Sequence, residues 1–188
     1  MNSGYFSHVE ALIPESFKEV NRIIDSLLEC INSGGTIWII GNGGSASTAD
    51  HFEVDLSYVR LAHNQVVVRA RSLCANSALI TAIGNDIGYE KIFAHQLLRN
   101  ASPGDICFAI SASGNSPNLI EAFKVCTQKS VKKIALLGFD GGELRHLADE
   151  SILIQSKIGL FGPVEDIHLS ICHLMASALQ TRLFETAK

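Results

Sequence analysis

The segment TIWIIGNGGS, residues 36–45, indicates how this chain folds. Residues 36–40 form a strand-sized run that is apolar at nearly every position, and a glycine-rich loop follows directly. A strand that is apolar on both faces is typical of a parallel sheet covered by helices on both sides. The same arrangement recurs where DICFAI, residues 105–110, precedes the loop SASGNSPN, residues 111–118.

Five strand-sized runs alternate with helix-sized segments along the chain. We predict strands at residues 36–40, 65–69, 105–110, 133–137 and 151–154. This alternation favours parallel strands, because each crossover between them places a helix over one face of the sheet. The predicted fold class is therefore α/β, with a doubly wound five-stranded parallel sheet between helices.

Further helices are expected at both ends of the chain. Ser7 and Glu10 fit a capping box, and Pro14 suits the first turn of a second helix. A last helix over about residues 164–185 has an apolar face too broad for a peripheral helix, so we expect the terminal helices to contact another subunit. Within one domain, residues 1–188, the expected parts are a helical segment at 1–33, a sheet core at 36–160 and a C-terminal helix at 163–186.

The composition suits one globular domain. The chain has 188 residues, of which 47% are hydrophobic and 18% charged, so it can bury a sizeable core. Its formal net charge is −4 and it has no basic run, which excludes the usual electrostatic pattern of a nucleic-acid binder.

Compartment and redox state are also indicated by the sequence. The first residues lack the regions of a signal peptide, and the apolar runs are shorter than the ~20 residues that a membrane span needs. The five cysteines are odd in number and scattered, which favours reduced core residues over disulfides or a thiolate metal site. We expect a cytoplasmic protein without a membrane segment.

The two loops after residues 40 and 110 suit a phosphate group. Glycines let the backbone approach a ligand, hydroxyls donate to anionic oxygens, and a helix N-terminus adds free N–H groups. Ordinary turn and cap chemistry explains either loop alone. It explains two such loops at equivalent strand ends less well, because ligands of an open parallel sheet bind beyond those ends.

A nucleotide cofactor is a weaker interpretation of the same loops. Neither loop contains the Gly-Lys-Ser/Thr of a Walker A motif, although residues 41–46 fit the loose dinucleotide pattern. The second predicted strand ends in VRAR, residues 68–71, without an acidic residue for a ribose. NAD is therefore disfavoured, an NADP interpretation ranks third, and we expect no nucleotide cofactor.

Histidine and carboxylate residues form a second group of candidates. His51 and Asp55 lie four residues apart and therefore on one face of a helix, while Glu165 and His173 lie on the last helix. Histidine with carboxylate is the pairing used for zinc and for acid/base work. The alternatives are a solvated surface pair for His51 and Asp55 and an ordinary core histidine for His173. Because the helix of His51 and Asp55 begins at a predicted phosphate loop, a catalytic or metal-binding role is favoured for this pair.

The motifs together resemble a known family over about residues 15–184. GNGGS at 41–45, GNDIG at 84–88, ISASGNS at 110–116 and the pair His168 and His173 are similar to the sugar isomerase (SIS) domain, specifically to bacterial phosphoheptose isomerases. The resemblance implies interconversion of sedoheptulose 7-phosphate and D-glycero-D-manno-heptose 7-phosphate, a step towards heptose for lipopolysaccharide or capsule. It also implies a homotetramer with active sites at subunit interfaces.

The resemblance further implies roles for individual residues. Asp55 and His173 would be the catalytic acid/base pair. A metal ion, zinc in the family, would be bound by His51, Asp55, Glu165 and His173. The implied substrate-binding residues are Asn42, Gly43, Gly44, Ser45, Asn85, Asp86, Ser111, Ala112, Ser113, Ser116 and Glu165.

Three positions depart from the family pattern, which has Glu at position 55, Gln at 165 and usually Asp at 76. Asp55 is one methylene shorter than Glu, and a displacement of more than ~1 Å can cost on the order of 10²-fold in rate. Glu165 adds a negative charge, yet on a straight helix it lies ~12 Å along the axis from His173. The two can share one ion only if their side chains lean together or the helix begins after Glu165.

A non-catalytic protein of the same fold is the alternative function. Some SIS proteins bind a sugar phosphate as sensors or bind a partner protein, as the replication-initiator-associated type does, and GFDGGEL at 138–144 also occurs in that group. Those proteins typically lack the catalytic carboxylate and the final histidine. Because Asp55 and His173 are both present, we expect an isomerase.

Overall fold

The computed structural model describes residues 4–14, 17–58 and 68–185. In this part of the chain, five parallel strands form one sheet in the order β2-β1-β3-β4-β5. The strands are β1 (Thr36–Gly41), β2 (Arg69–Ser72), β3 (Ile106–Ser111), β4 (Lys132–Phe139) and β5 (Glu150–Gln155). The predicted fold class is confirmed, and four strands lie within two residues of their predicted bounds.

The second strand lies later in the chain than predicted. β2 begins at Arg69, where the predicted strand 65–69 ends, and residues 65–67 lie outside the described residues. β2 is an edge strand whose residues alternate between exposed and buried. The predicted strand was centred on the apolar residues 66–68, whereas β2 is anchored by polar contacts to the helix that precedes it in the chain. The Ser72 backbone N–H donates to Glu53 and its hydroxyl donates to Asp50.

Helices connect and flank the strands. They are α1 (Gly4–Ala11), α2 (Lys18–Asn32), α3 (Gly44–Ser57), α4 (Ser77–Asp86), α5 (Ala94–Asn100), α6 (Pro117–Gln128), α7 (Leu144–Leu147) and α8 (Phe161–Glu185), with a 3-10 turn at Tyr89–Lys91. Two predicted starts were wrong: α1 begins before Ser7, which is therefore not an N-cap, and α2 begins after Pro14. The last helix was predicted to begin at about residue 164, and α8 begins three residues earlier, at Phe161.

Two hydrophobic cores cover the two faces of the sheet. Side chains such as Ile37 and Phe108 face α2, α3 and α8, whereas Cys107 and Leu137 face α4, α5, α6 and α7. Neighbouring residues of a strand point to opposite faces, so continuous apolar strands supply both cores. α3 and α8 therefore lie on the same face, where they pack against each other.

The strand order reverses between β1 and β3. The chain leaves β1 through α3 towards β2, and leaves β3 through α6 towards β4, so the loops that follow β1 and β3 diverge. Such a point in a doubly wound sheet opens a crevice beyond the carboxyl ends of the strands. Within the described ranges, no helix combines the length and apolar character that crossing a membrane requires.

Candidate active site

The two glycine- and serine-rich loops meet in one cavity of about 120 Å³, which we call the serine cavity. Its lining comprises Asn42, Ser45, Ile110, Ser111, Ala112, Ser113, Ser116, Phe161 and Glu165. Gly43 forms the turn into α3 with a φ of 55°, a conformation that L side chains rarely adopt, and Gly44 is the first helical residue. The structure thus brings together the two loops that the sequence placed at equivalent strand ends.

Three hydroxyl groups of the second loop remain able to donate. Ser111 Oγ accepts from the Gly114 N–H at 3.0 Å, and Ser113 Oγ accepts from the Asn115 N–H at 3.3 Å. A hydroxyl that accepts from the backbone still has its own proton to donate. Ser116 precedes α6 without a side-chain capping bond to it. These donors, with the N-termini of α3 and α6, suit an anionic group.

Glu165 occupies the side of the serine cavity next to α3. Its carboxyl group lies against Gly44, where a Cβ atom would overlap it, so this glycine allows the close approach of α8. Burial and, to a lesser extent, the neighbouring Asp166 raise the pKa of Glu165. The described lining contains no lysine or arginine, so an anion here would depend on hydroxyls and backbone N–H groups.

A second group, the His–Asp cluster, consists of His51 and Asp55 on α3 and His173 on α8. The Nε2 atoms of the two histidines are 3.2 Å apart, and each lies 3.6 Å from one oxygen of Asp55. The rings of the histidines are about half exposed, whereas Asp55 is mostly covered. A cavity of about 410 Å³ adjoins Asp55 and His173.

The donor atoms of the His–Asp cluster fit a metal ion. One ligand atom from each residue lies within 4.8 Å of the others, and Asp55 Oδ2 is buried without a hydrogen-bond partner among the described residues. Two imidazole nitrogens facing each other at 3.2 Å need either a shared proton or a cation between them. Imidazole nitrogen and carboxylate oxygen are common ligands of zinc, and three protein ligands leave one position open.

Glu165, the fourth ligand implied by the resemblance, does not lie in the His–Asp cluster. α8 is one continuous helix from Phe161, so the condition that it begin after Glu165 is not met. Eight residues of helix separate Glu165 from His173 by about 12 Å along the axis. The structure therefore assembles three of the four implied ligands and places Glu165 in the serine cavity.

The serine cavity and the His–Asp cluster are joined by two helices that pack side by side. α3 begins at the cavity with Ser45 and carries Asp55 ten residues later, while α8 carries Glu165 at the cavity and His173 at the cluster. The arrangement suits an elongated ligand whose anionic end lies in the cavity and whose other end reaches the histidines.

The remaining predicted residues do not line the serine cavity. Asn85 and Asp86 end α4 outside the described lining of the serine cavity, and the Asn85 amide donates to Asp86 at 2.8 Å. Asn76 is the N-cap of α4, where its Oδ1 atom accepts from the Leu79 N–H at 3.0 Å. Asn and Asp serve this position almost equally, which explains why Asn76 is compatible with the fold.

Sequence reasoning missed two residues that contact Asn42. The side-chain amides of Asn42 and Asn118 exchange two hydrogen bonds, of 2.9 and 2.8 Å, and the Tyr89 hydroxyl donates to Asn42 Oδ1 at 3.1 Å. Asn118 is almost fully buried. The only sequence feature that could have indicated a role for Asn118 was its amide in the first turn of the helix after the serine loop. No feature of the sequence indicated a role for Tyr89.

Comparison with known proteins agrees with this architecture. Residues 5–138 match the family described as SIS domain. Phosphoheptose isomerase from Trichlorobacter lovleyi is 36% identical over 165 residues, which cover 88% of this chain and 83% of the relative. Phosphoheptose isomerase from Citrifermentans bemidjiense is 31% identical over 178 residues, which cover 95% of this chain and 91% of the relative.

A solved structure shows the same likeness. Phosphoheptose isomerase from Neisseria gonorrhoeae has a TM-score of 0.85 at 27% identity, with 95% of this chain and 94% of that chain covered. The likeness extends into α8, which the SIS domain match does not reach. The chain belongs to the SIS-domain family of phosphoheptose isomerases.

Proposed function

We propose that this protein is an aldose–ketose isomerase that interconverts sedoheptulose 7-phosphate and D-glycero-D-manno-heptose 7-phosphate. One observation carries the proposal: α3 and α8 join a hydroxyl-lined cavity at one end to the His–Asp cluster at the other. A phosphorylated sugar with its phosphate and carbonyl at opposite ends matches this arrangement. Its relatives' names identify the same reaction class.

The chemistry needs one base and one acid. From the ketose, a base removes a proton from C1 while the C2 carbonyl oxygen gains a proton, which gives a cis-enediol. The C1 hydroxyl then loses its proton to become the aldehyde as a proton is delivered to C2. Asp55 and His173 are the proposed acid/base pair, because they lie 3.6 Å apart and adjoin the same cavity.

Zinc is the proposed cofactor, bound by His51, Asp55 and His173. A zinc ion at this position would supply a Lewis acid that polarises the carbonyl group and stabilises negative charge on its oxygen. The fit rests on the ligand types, on their mutual distances and on the unpartnered Asp55 oxygen. No nucleotide cofactor is part of the proposal.

The serine cavity is the proposed phosphate site. The hydroxyls of Ser111, Ser113 and Ser116 would donate to phosphate oxygens, and the first backbone N–H groups of α3 would complete the site. Asn42, Asn85 and Asp86 would line the sugar beside it.

A homotetramer is the proposed assembly, with active sites at its interfaces. Val54 is 61% exposed on α3 and Leu174 is 41% exposed on α8, and both lie beside the His–Asp cluster. Light scattering should give four times the 20.3 kDa of one chain. Val54→Asp should dissociate the assembly and lower activity, whereas Leu98→Asp on α5, at the opposite sheet face, should change neither. An unchanged mass for Val54→Asp would contradict this interface.

Two further parts of the proposal concern the whole chain. Residues 1–188 act as a single domain, which the one continuous sheet supports. The protein works in the cytoplasm, which is supported by five cysteines that all remain free thiols, four of them buried.

The decisive experiment is proton NMR of the purified protein with sedoheptulose 7-phosphate in deuterated buffer, with added zinc and with a chelator. We expect aldose product that carries deuterium at C2, because the enediol exchanges protons with solvent, and we expect the chelator to stop turnover. Ser113→Ala should raise KM without unfolding the protein. His173→Gln should keep the assembly and ligand binding but lose turnover.

Two outcomes would contradict the proposal. Conversion by His173→Gln at the wild-type rate would remove His173 from the mechanism. Binding of the sugar phosphate without conversion by the wild-type protein would favour a non-catalytic sugar-phosphate binder.

A further inference from the structure

Asn42 lies at a junction of three elements. It belongs to the loop after β1 and contacts Asn118 on α6 and Tyr89 in the turn after α4. Asn118 is 1% exposed, so its amide has no access to solvent and depends on Asn42 for these bonds. Gly88, with a φ of 136°, turns the chain between Asp86 and Tyr89 and brings the tyrosine over the loop.

The hydrogen bonds determine the orientation of the Asn42 amide. Its Oδ1 atom accepts from Asn118 Nδ2 and from the Tyr89 hydroxyl, so both lone pairs are used. Its Nδ2 atom donates one hydrogen to Asn118 Oδ1. In a reciprocal amide pair the hydrogen that is used lies on the same side as the oxygen, so the second hydrogen points away from the pair.

We infer that Asn118 and Tyr89 are positioning residues: they hold the Asn42 amide so that its second N–H hydrogen is donated to an oxygen of the substrate. Asn42 is the member of the trio that lines the serine cavity, so it is the one placed to contact a ligand. The inference rests on the proposed function, because it assumes that a sugar phosphate occupies this cavity.

The same junction connects the two halves of the proposed sugar site. Tyr89 follows Asp86 by three residues, so its bond to Asn42 ties the end of α4 to the loop after β1. Loss of the Tyr89 hydroxyl should therefore loosen the Asn42 amide while Asn118 still holds one side of it.

A double-mutant cycle tests whether Tyr89 acts through Asn42. Tyr89→Phe should raise KM for sedoheptulose 7-phosphate about 3- to 10-fold, as expected for loss of one neutral hydrogen bond, with kcat nearly unchanged. Asn42→Ala should raise KM by about 10-fold or more. In the Asn42→Ala background, Tyr89→Phe should have no further effect, because the group that it positions is gone. Additive effects would overturn the inference.

Asn118 has its own variant and control. Asn118→Leu leaves the partly buried Asn42 amide half-paired beside an apolar side chain, so KM should rise about 10- to 100-fold. Gln96→Leu removes another buried amide, which bonds to the carbonyls of Leu73 and Ile92 and, among the described residues, makes no hydrogen bond with Asn42, Asn118 or Tyr89. Gln96→Leu should lower stability without changing KM, and an equal rise in KM for both variants would indicate a merely structural role for Asn118.

A measurement without turnover separates this inference from the proposed function. With 15N-labelled asparagine, the side-chain amide signal of Asn42 is identified by its absence in Asn42→Ala. Tyr89→Phe should shift that signal and leave the signal of Asn32, before the opposite end of β1, in place. An unmoved Asn42 signal would overturn the inference even if the wild-type protein isomerises the sugar. Failure of the wild-type protein to isomerise it, with the Asn42 signal shifted, would refute only the proposed function.

Discussion

Asp55 shows how a shortened side chain is accommodated at the residue scale. The sequence alone left open whether a carboxylate one methylene shorter than the family's could reach its partners. In the structure each of its oxygens lies 3.6 Å from a different imidazole, because α3 and α8 pack closely here. The shorter side chain is therefore compatible with both acid/base work and metal binding.

Replacement of Asp55 tests the charge and the length of this side chain separately. Asp55→Asn keeps the shape but removes the charge, so we expect a loss in kcat/KM of about 100-fold or more and weaker zinc binding in equilibrium dialysis. Asp55→Glu restores the carboxylate, and the adjoining cavity has room for a methylene, so it should retain turnover. Inactive Asp55→Glu protein would mean that the cluster requires the shorter side chain. Active Asp55→Asn protein would remove the carboxylate from the mechanism.

At the scale of an element, Gly114 fixes the loop after β3. It has a φ of 64°, and a Cβ atom on it would overlap the backbone carbonyl of Gly141. Its own carbonyl accepts from the Leu144 N–H at 3.0 Å, which ties the loop to the start of α7. The positions of Ser111, Ser113 and Ser116 therefore depend on this contact between two backbones.

A matched pair of glycine variants tests that dependence. Gly114→Ala should lower the free energy of unfolding by more than about 2 kcal/mol and raise KM, because it adds a backbone clash to an unfavourable φ. Gly104→Ala has an unfavourable φ of 93° but open space around its Cβ, and it lies before β3 at the other end of the sheet. It should cost about 1 kcal/mol in urea unfolding and leave KM unchanged. An unchanged KM in Gly114→Ala would show that the serine loop tolerates displacement.

On the scale of the whole molecule, His168 couples stability to pH. Its side chain is fully buried on α8, and neither ring nitrogen has a hydrogen-bond partner among the described residues. Burial lowers the pKa of His168 to about 4, although the backbone of Leu137, which lies outside normal hydrogen-bond geometry, offsets part of the effect. Because the folded pKa lies below that of the unfolded chain, the unfolded state binds the proton first as pH falls.

The contribution of neutral His168 to stability should be complete above pH ~6.5 and should be lost progressively towards pH 4. Between pH 7 and pH 5 the loss amounts to about 2 kcal/mol. Urea unfolding should be measured at fixed protein concentration with chelator present. Between pH 7 and pH 5, the free energy of unfolding should fall by this amount more in the wild-type protein than in His168→Met. Equal pH dependence in the two proteins would mean that His168 is not held neutral.

The strands β1, β3, β4 and β5 were predictable because each is a local apolar run, and the glycine and serine loops were predictable because their residues are adjacent in the chain. β2 was misplaced because an edge strand needs only one buried face, so its pattern resembled a loop.

The sequence by itself determined the fold class, the two loops of the serine cavity and, by resemblance, the residues of the His–Asp cluster. Only the tertiary structure decided which of the four implied ligands lie together, since this depends on how α8 packs along α3. It also decided that Glu165 lies in the cavity and that Asn118 and Tyr89 hold Asn42. The physical reason is that a local pattern sets the conformation of adjacent residues, whereas contacts between residues far apart in the chain arise only when helices and strands pack.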